Sequence, residues 1–187
     1  MLRCNLSVLL AERSLKSSKV SRDTGISRTT LTSLIYNHGQ GIQFDTINTL
    51  CNYLKIMPGD LFDYIPIEIK FDFKSHTRYQ MNFDLITTFN SKTRTFNLCA
   101  VMEDNTVTFE DEDGEDDTIV GTVSIHVMYF DENEPEDSKK YLSEILSKLT
   151  PGFVMDLESR ISERVIDYYI QEDEMEVEFS WDSDFGI

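Results

Sequence analysis

Two hydropathy periods divide this chain and predict its fold class: an all-α five-helix helix–turn–helix domain, then an α+β domain built from a mostly antiparallel sheet with two helices. Over residues 1–65 apolar side chains recur at three and four, while from residue 66 they alternate, until helical spacing returns in the last third. Charge changes at the same place. Residues 1–66 hold seven Lys/Arg and five Asp/Glu, a balance of +2, whereas 67–187 hold ten and twenty-nine, a balance of −19. The expected domains are therefore 1–65 and 66–187, joined by a short connection with only Pro66 as punctuation.

Leu6, Leu9 and Leu10 share one face and give a first helix running to about Arg13. In the next segment Val20 and Thr24 lie four apart, as same-face neighbours on a helix do. Gly25 follows where a tight turn needs positive φ. Ile26 plugs the corner, and Ser27 is placed to cap a helix that begins at Arg28. Leu31, Leu34 and Ile35 pin that second helix to a core, and small Ser21 sits where the two helices cross. The faces left over carry Arg28, Thr29, Thr32 and Ser33, all able to hydrogen-bond base edges or phosphates. After a polar loop, Asn37 to Gly41, Asp45 is a candidate cap for a helix with Ile47, Leu50 and Leu54 on one face and Cys51 beside them. Pro58 opens a last short helix, anchored by Leu61 and Phe62.

The runs VSRDTGISRTTLTSL and FDTINTLCNYLKIMPGDLFDY resemble, in order and spacing, the lambda-repressor/Cro-type helix–turn–helix proteins, the XRE family of transcriptional regulators. The resemblance covers about the first 65 residues. It implies a recognition helix in the major groove of double-stranded DNA, with its N-terminal residues nearest the bases. Carried over by position, it nominates Ser27, Arg28, Thr29, Thr32 and Ser33 for groove contact. It places Ser17 and Ser18, at the start of the preceding helix, on phosphate through backbone N–H groups and hydroxyls. Many members carry Gln at the start of that helix, where this chain has Ser17 and Ser18, so a contact made by a Gln amide is not expected. Lys19, and Asn37 and His38 in the following loop, complete the candidate DNA-binding set.

A net charge of −17 opposes binding to a phosphate polymer. The local face decides instead, because Arg13, Lys16, Lys19, Arg22 and Arg28 cluster within and just before the motif. So few cations hold DNA weakly as one copy, and a homodimer on two half-sites would supply the remaining affinity.

The second domain begins with Ile67 to Lys74, an unbroken apolar/charged alternation that reads as a half-buried strand. Further strands are expected at Tyr79–Phe89, Arg94–Met102, Thr106–Glu110 and Ile119–Phe130. Tyr141, Leu142, Ile145, Leu146 and Leu149 make a shorter helix. Val154, Leu157, Ile161, Val165 and Tyr168 mark a longer one from Phe153 to Ile170, with Tyr168 and Tyr169 offering one aromatic inside and one at an interface. Met175 to Trp181 alternates again and closes the sheet. The acidic run Glu110 to Asp117 reads as a solvated hairpin loop: counted from Asp111, the twelfth position is Thr122, so the closing glutamate of a calcium loop is missing. The acids around Asp131–Asp137 favour the N-terminus of the helix that follows.

No enzymatic chemistry, metal site or cofactor is expected. His38, His76 and His126 are scattered without partners at ligand spacing, and Cys4, Cys51 and Cys99 read as buried free thiols. Ala100 precedes Val101 and Gly121 follows Val120, so the Ala-Gly bond of a self-cleaving repressor is absent. No signal peptide or membrane span is visible, and a cytoplasmic protein is expected. These observations favour a sequence-specific transcriptional regulator, a repressor binding a palindromic operator as a dimer, with the acidic domain for oligomerisation, effector sensing or partner binding. The alternatives are an antitoxin or phage-type accessory protein whose acidic domain docks a basic protein, and an anti-repressor that mimics DNA.

Overall fold

The computed structural model describes residues 1–39, 41–77, 79–104, 107–110, 116–131, 133–169 and 175–187; at 104, 107–110, 116–121, 168–169 and 175–176 it describes the backbone alone. The chain divides into two compact units, Met1–Pro66 and Ile67–Ile187.

In the first unit, strand β1 (Leu2–Cys4) precedes helices α1 (Leu6–Glu12), α2 (Ser17–Thr24), α3 (Arg28–Ile35), α4 (Phe44–Leu54) and α5 (Pro58–Leu61), and strand β2 (Phe62–Tyr64) ends it. The periodic residues form the core: Leu6, Leu9, Leu10, Val20, Leu31, Leu34, Leu50, Leu54 and Leu61 are all buried, with Ile26, Ile35 and Ile47 packed against them. Two features depart from the sequence reading. Asp45 does not cap α4. Ile47 N–H bonds Gln43 O at 3.1 Å, so the helix starts earlier and Asp45 lies inside its first turn, where a carboxylate still suits the dipole. Phe62 is not part of the last helix but enters β2, which pairs antiparallel with β1 in the register Leu2–Tyr64, Arg3–Asp63 and Cys4–Phe62. That ribbon ties the first residues to the end of the unit, and Asn5 N–H, bonded to Leu61 O at 2.9 Å, extends the tie.

The second unit runs β3 (Ile67–His76), β4 (Gln80–Phe89), β5 (Lys92–Asp104), β6 (Val107–Glu110), β7 (Asp116–Tyr129), α6 (Glu136–Leu146), α7 (Pro151–Tyr169) and β8 (Met175–Trp181), closed by a 3-10 turn at Ser183–Phe185. Strands β3, β4, β5 and β7 are neighbours in that order and antiparallel, and β6 pairs with the N-terminal part of β7. Strand β8 joins β7 in parallel, Val123 opposite Val177 and Val127 opposite Trp181. The α6–α7 crossover accounts for the direction, since a parallel neighbour needs a long return connection. One sheet face is apolar and buried, through residues such as Phe83, Leu85, Phe96, Leu98, Ile125 and Val127, as are Leu142, Ile145, Phe153, Leu157, Ile161 and Val165 of the two helices. The inner stripe of α7 passes through Phe153 rather than Val154, which is only half-buried. Glu136 and Asp137 occupy the first turn of α6, a favourable place for carboxylates.

His126 points to the other face, its Nδ1 2.9 Å from Ser180 Oγ. Trp181 Nε1–H donates to Glu158 Oε1 at 2.9 Å, and Lys139 Nζ donates to Asp184 Oδ2 at 2.8 Å, so the last strand and turn are fastened to α7 and α6. The centre of the acidic run at 111–115 and the side chains of Tyr168 and Tyr169 lie outside the described residues. Among the described residues no helix is long and apolar enough to cross a membrane.

Candidate nucleic-acid interface

The geometry of α2, the turn and α3 follows from short-range chemistry. Thr24 Oγ1 donates to Val20 O at 2.6 Å, tightening the last turn of α2. Gly25 then takes φ 77°, a left-handed conformation that side chains resist, and its N–H bonds Ser21 O at 2.9 Å to end the helix. Ser21 does more than avoid a clash: its Oγ donates to Ile26 O at 2.7 Å and braces the corner from inside. Ser27 caps α3 by accepting from Thr30 N–H at 3.0 Å, with the two hydroxyls 2.8 Å apart. A Ser27→Ala chain is expected to lose about 1 kcal/mol of stability. The check is a lower denaturant midpoint for the first unit's helical signal at unchanged slope.

Leu31 and Leu34 hold α3 by its inner face, which leaves Arg28, Thr29 and Thr32 exposed and Ser33 half-buried beside them. Arg28 has no ion pair among the described residues. Ser17 and Ser18 are exposed at the start of α2, and the N-cap residue Lys16 makes no side-chain capping bond. The first N–H groups of that helix therefore stay open to an external acceptor.

Other nominated residues are already occupied. The Ser27 hydroxyl serves as the cap just described. Asn37, at φ 56°, accepts from Cys4 N–H with Oδ1 at 2.6 Å and donates from Nδ2 to Cys4 O at 3.3 Å, so its amide holds β1 in place. His38 is exposed, its ring 5.9 Å from that of Tyr36, and its backbone N–H bonds Ser33 O at 3.0 Å. Lys19 Nζ donates to Asp23 Oδ2 at 2.6 Å, and Arg22 Nε lies 3.8 Å from Asp23 Oδ1. Arg13 Nη1 donates to Leu9 O at 3.1 Å and to Glu12 Oε2 at 3.3 Å.

Asp23 and Tyr53 are the residues that sequence reasoning missed. Tyr53 OH, from α4, donates to Asp23 Oδ2 at 2.8 Å. The Lys19 ammonium, then the Tyr53 hydroxyl, hold the Asp23 carboxyl below the usual carboxylate range. The i, i+4 spacing of Lys19 and Asp23 was a readable signal; the bond from Tyr53, thirty residues away, was not. Among the described residues no group of three His, Cys, Asp or Glu could hold a metal ion. Cys4, Cys51 and Cys99 are free and buried, and burial pushes each thiol up.

A family model of the Cro/C1-type HTH DNA-binding domain matches residues 5–66. The chain is also similar to an uncharacterized HTH-type transcriptional regulator, YozG of Bacillus subtilis (strain 168), with 30% identity over 60 residues, 32% of this chain and 71% of that protein. No solved structure matches the chain.

Proposed function

The chain belongs to the Cro/C1-type helix–turn–helix DNA-binding family, and from that premise we propose that it represses transcription by occupying a palindromic operator as a dimer. The observation that carries this reading is α3 itself: a capped helix gripped by Leu31 and Leu34, with Arg28, Thr29 and Thr32 exposed. An Arg fork reads guanine in the major groove, and small hydroxyls read neighbouring base edges without excluding the groove wall. Arg28, Thr29, Thr32 and Ser33 are therefore the base-reading candidates. Ser17 and Ser18 meet phosphate through the open end of α2.

The dimer follows from electrostatics. Lys19, Arg22 and Arg13 already have acidic neighbours within the first unit, so one copy offers phosphate few uncommitted cations. Two copies on half-sites about 10 base pairs apart turn weak contacts into a usable affinity. The second unit is the proposed seat of dimerisation, sensing or partner binding, and its negative charge keeps it off the duplex.

Selection and sequencing of genomic fragments retained by the full chain tests the reading. Enrichment of an inverted repeat, together with a dimer mass by light scattering on the complex, is the expected result; fragments without a shared sequence would overturn it. The excess of nineteen acidic charges in residues 67–187 favours one further reading, an interaction protein that docks a basic partner. Stable co-purification with a basic protein, combined with no DNA preference, selects that reading instead.

A further inference from the structure

Asp23 is the acidic residue of the α2–α3 segment, and its three polar neighbours among the described residues are donors. Lys19 Nζ lies 2.6 Å from Oδ2, Tyr53 OH lies 2.8 Å from the same oxygen, and Arg22 Nε lies 3.8 Å from Oδ1. Lys19 and Tyr53 approach from different helices, α2 and α4. Oδ2 thus accepts from two helices at once, and the carboxylate cannot swing into solvent without breaking a bond to one of them. A phosphate oxygen makes the same demand on an ammonium group that this carboxylate does: a charged acceptor at hydrogen-bond distance. The Lys19 side chain remains half exposed even while paired, at 50%, so an incoming phosphate has access to the group that Asp23 holds.

We propose that Asp23 is an intramolecular competitor of the DNA phosphate for Lys19, and so limits the chain's affinity for DNA and the number of counterions released on binding. Tyr53 is the positioning residue that keeps the carboxylate on station. The inference rests on the DNA-binding reading above and adds a regulator of it. A weakly binding half-site suits a device in which occupancy depends on pairing two copies, because each added phosphate contact strengthens non-specific and specific complexes alike.

The test measures binding of the full chain to a mixed-sequence DNA duplex of about 30 base pairs as salt is varied. Asp23→Asn removes the charge and retains an oxygen that can accept from Tyr53. It should raise affinity about threefold to tenfold at low salt and steepen the slope of log K against log salt by about one. Lys19→Ala alone should flatten the wild-type slope by well under one, since Asp23 already holds that ammonium against phosphate. The double variant Lys19→Ala, Asp23→Asn should lose the gain. A merely structural role for Asp23 would move the melting temperature and not the salt slope.

An unchanged slope in Asp23→Asn overturns the inference, as does a gain that persists in the double variant. A slope that falls by about one in Lys19→Ala alone also overturns it, whether or not the Asn variant folds. Absence of salt-dependent binding by the wild-type chain overturns the DNA-binding reading and this inference with it, which separates the two failures.

Discussion

An Arg28→Ala chain is expected to bind its selected operator roughly ten- to a hundredfold more weakly than wild type, corresponding to about 1–3 kcal/mol for one bidentate base contact. The loss should also be selective. Arg28 stands at the first position of α3, exposed and without an ion pair among the described residues, so its guanidinium loses no internal partner on reaching a base. Removing it relaxes the preference at one base pair of each half-site while neighbouring positions keep theirs. Lys16 is the contrast. It precedes α2, the helix proposed to meet phosphate, and on that reading Lys16→Ala should weaken all sequences alike and flatten the salt slope by about one. Competition between the selected operator and point-changed versions separates these results. Arg28→Ala with an unaltered rank order of operators would remove Arg28 from the reading set. Thr29→Ala in the same background should take most of the remaining preference with it.

The contrast between these residues also shows what short-range sequence carries and what it does not. Gly25 and Ser27 act within five residues of themselves, and the spacing of Val20, Leu31 and Leu34 is local, so the two helices and their exposed face were readable from the chain alone. Strands β1 and β2 were not. Three residues hold too few alternations to stand out, and their partners lie about sixty positions apart. In the second unit the long strands announced themselves by alternation, but alternation has no direction, so the parallel entry of β8 emerged only with the α6–α7 crossover. Within the site the same rule holds. Thr29 and Thr32 could be placed outward by helical phase, whereas Arg28, three residues before Leu31, is exposed because it stands in the first turn of α3. The engagement of Asn37 with Cys4, thirty-three residues away, depends on a ribbon that the sequence did not advertise. A side chain nominated from a loop can be recruited by any element that folds against it, whereas one on the outer face of a well-anchored helix has few competitors.

That anchoring makes Leu31→Ala the substitution with the largest expected effect on the fold. Leu31 is fully buried in the core shared by α1, α2, α3 and α4, while the candidate reading residues Arg28, Thr29 and Thr32 of the same helix are exposed. Truncation removes its burial and leaves a cavity that the short helices around it cannot fully close, at a cost of about 2–5 kcal/mol. A unit of 66 residues has a total stability of about 3–10 kcal/mol by the usual scaling, so the loss takes much or all of it. The core around Leu31 contains residues of the first unit only, and the buried face of the sheet draws on residues 67–187. Amide exchange on the full chain should therefore show protection collapsing across α1–α4 while the amides of β4 and β5 stay protected. Equal loss in both units would mean that they fold as one cooperative body. DNA binding should disappear together with the α3 protection even though Arg28, Thr29 and Thr32 are untouched, because the exposed residues of α3 are presented only while Leu31 and Leu34 hold its buried side in place.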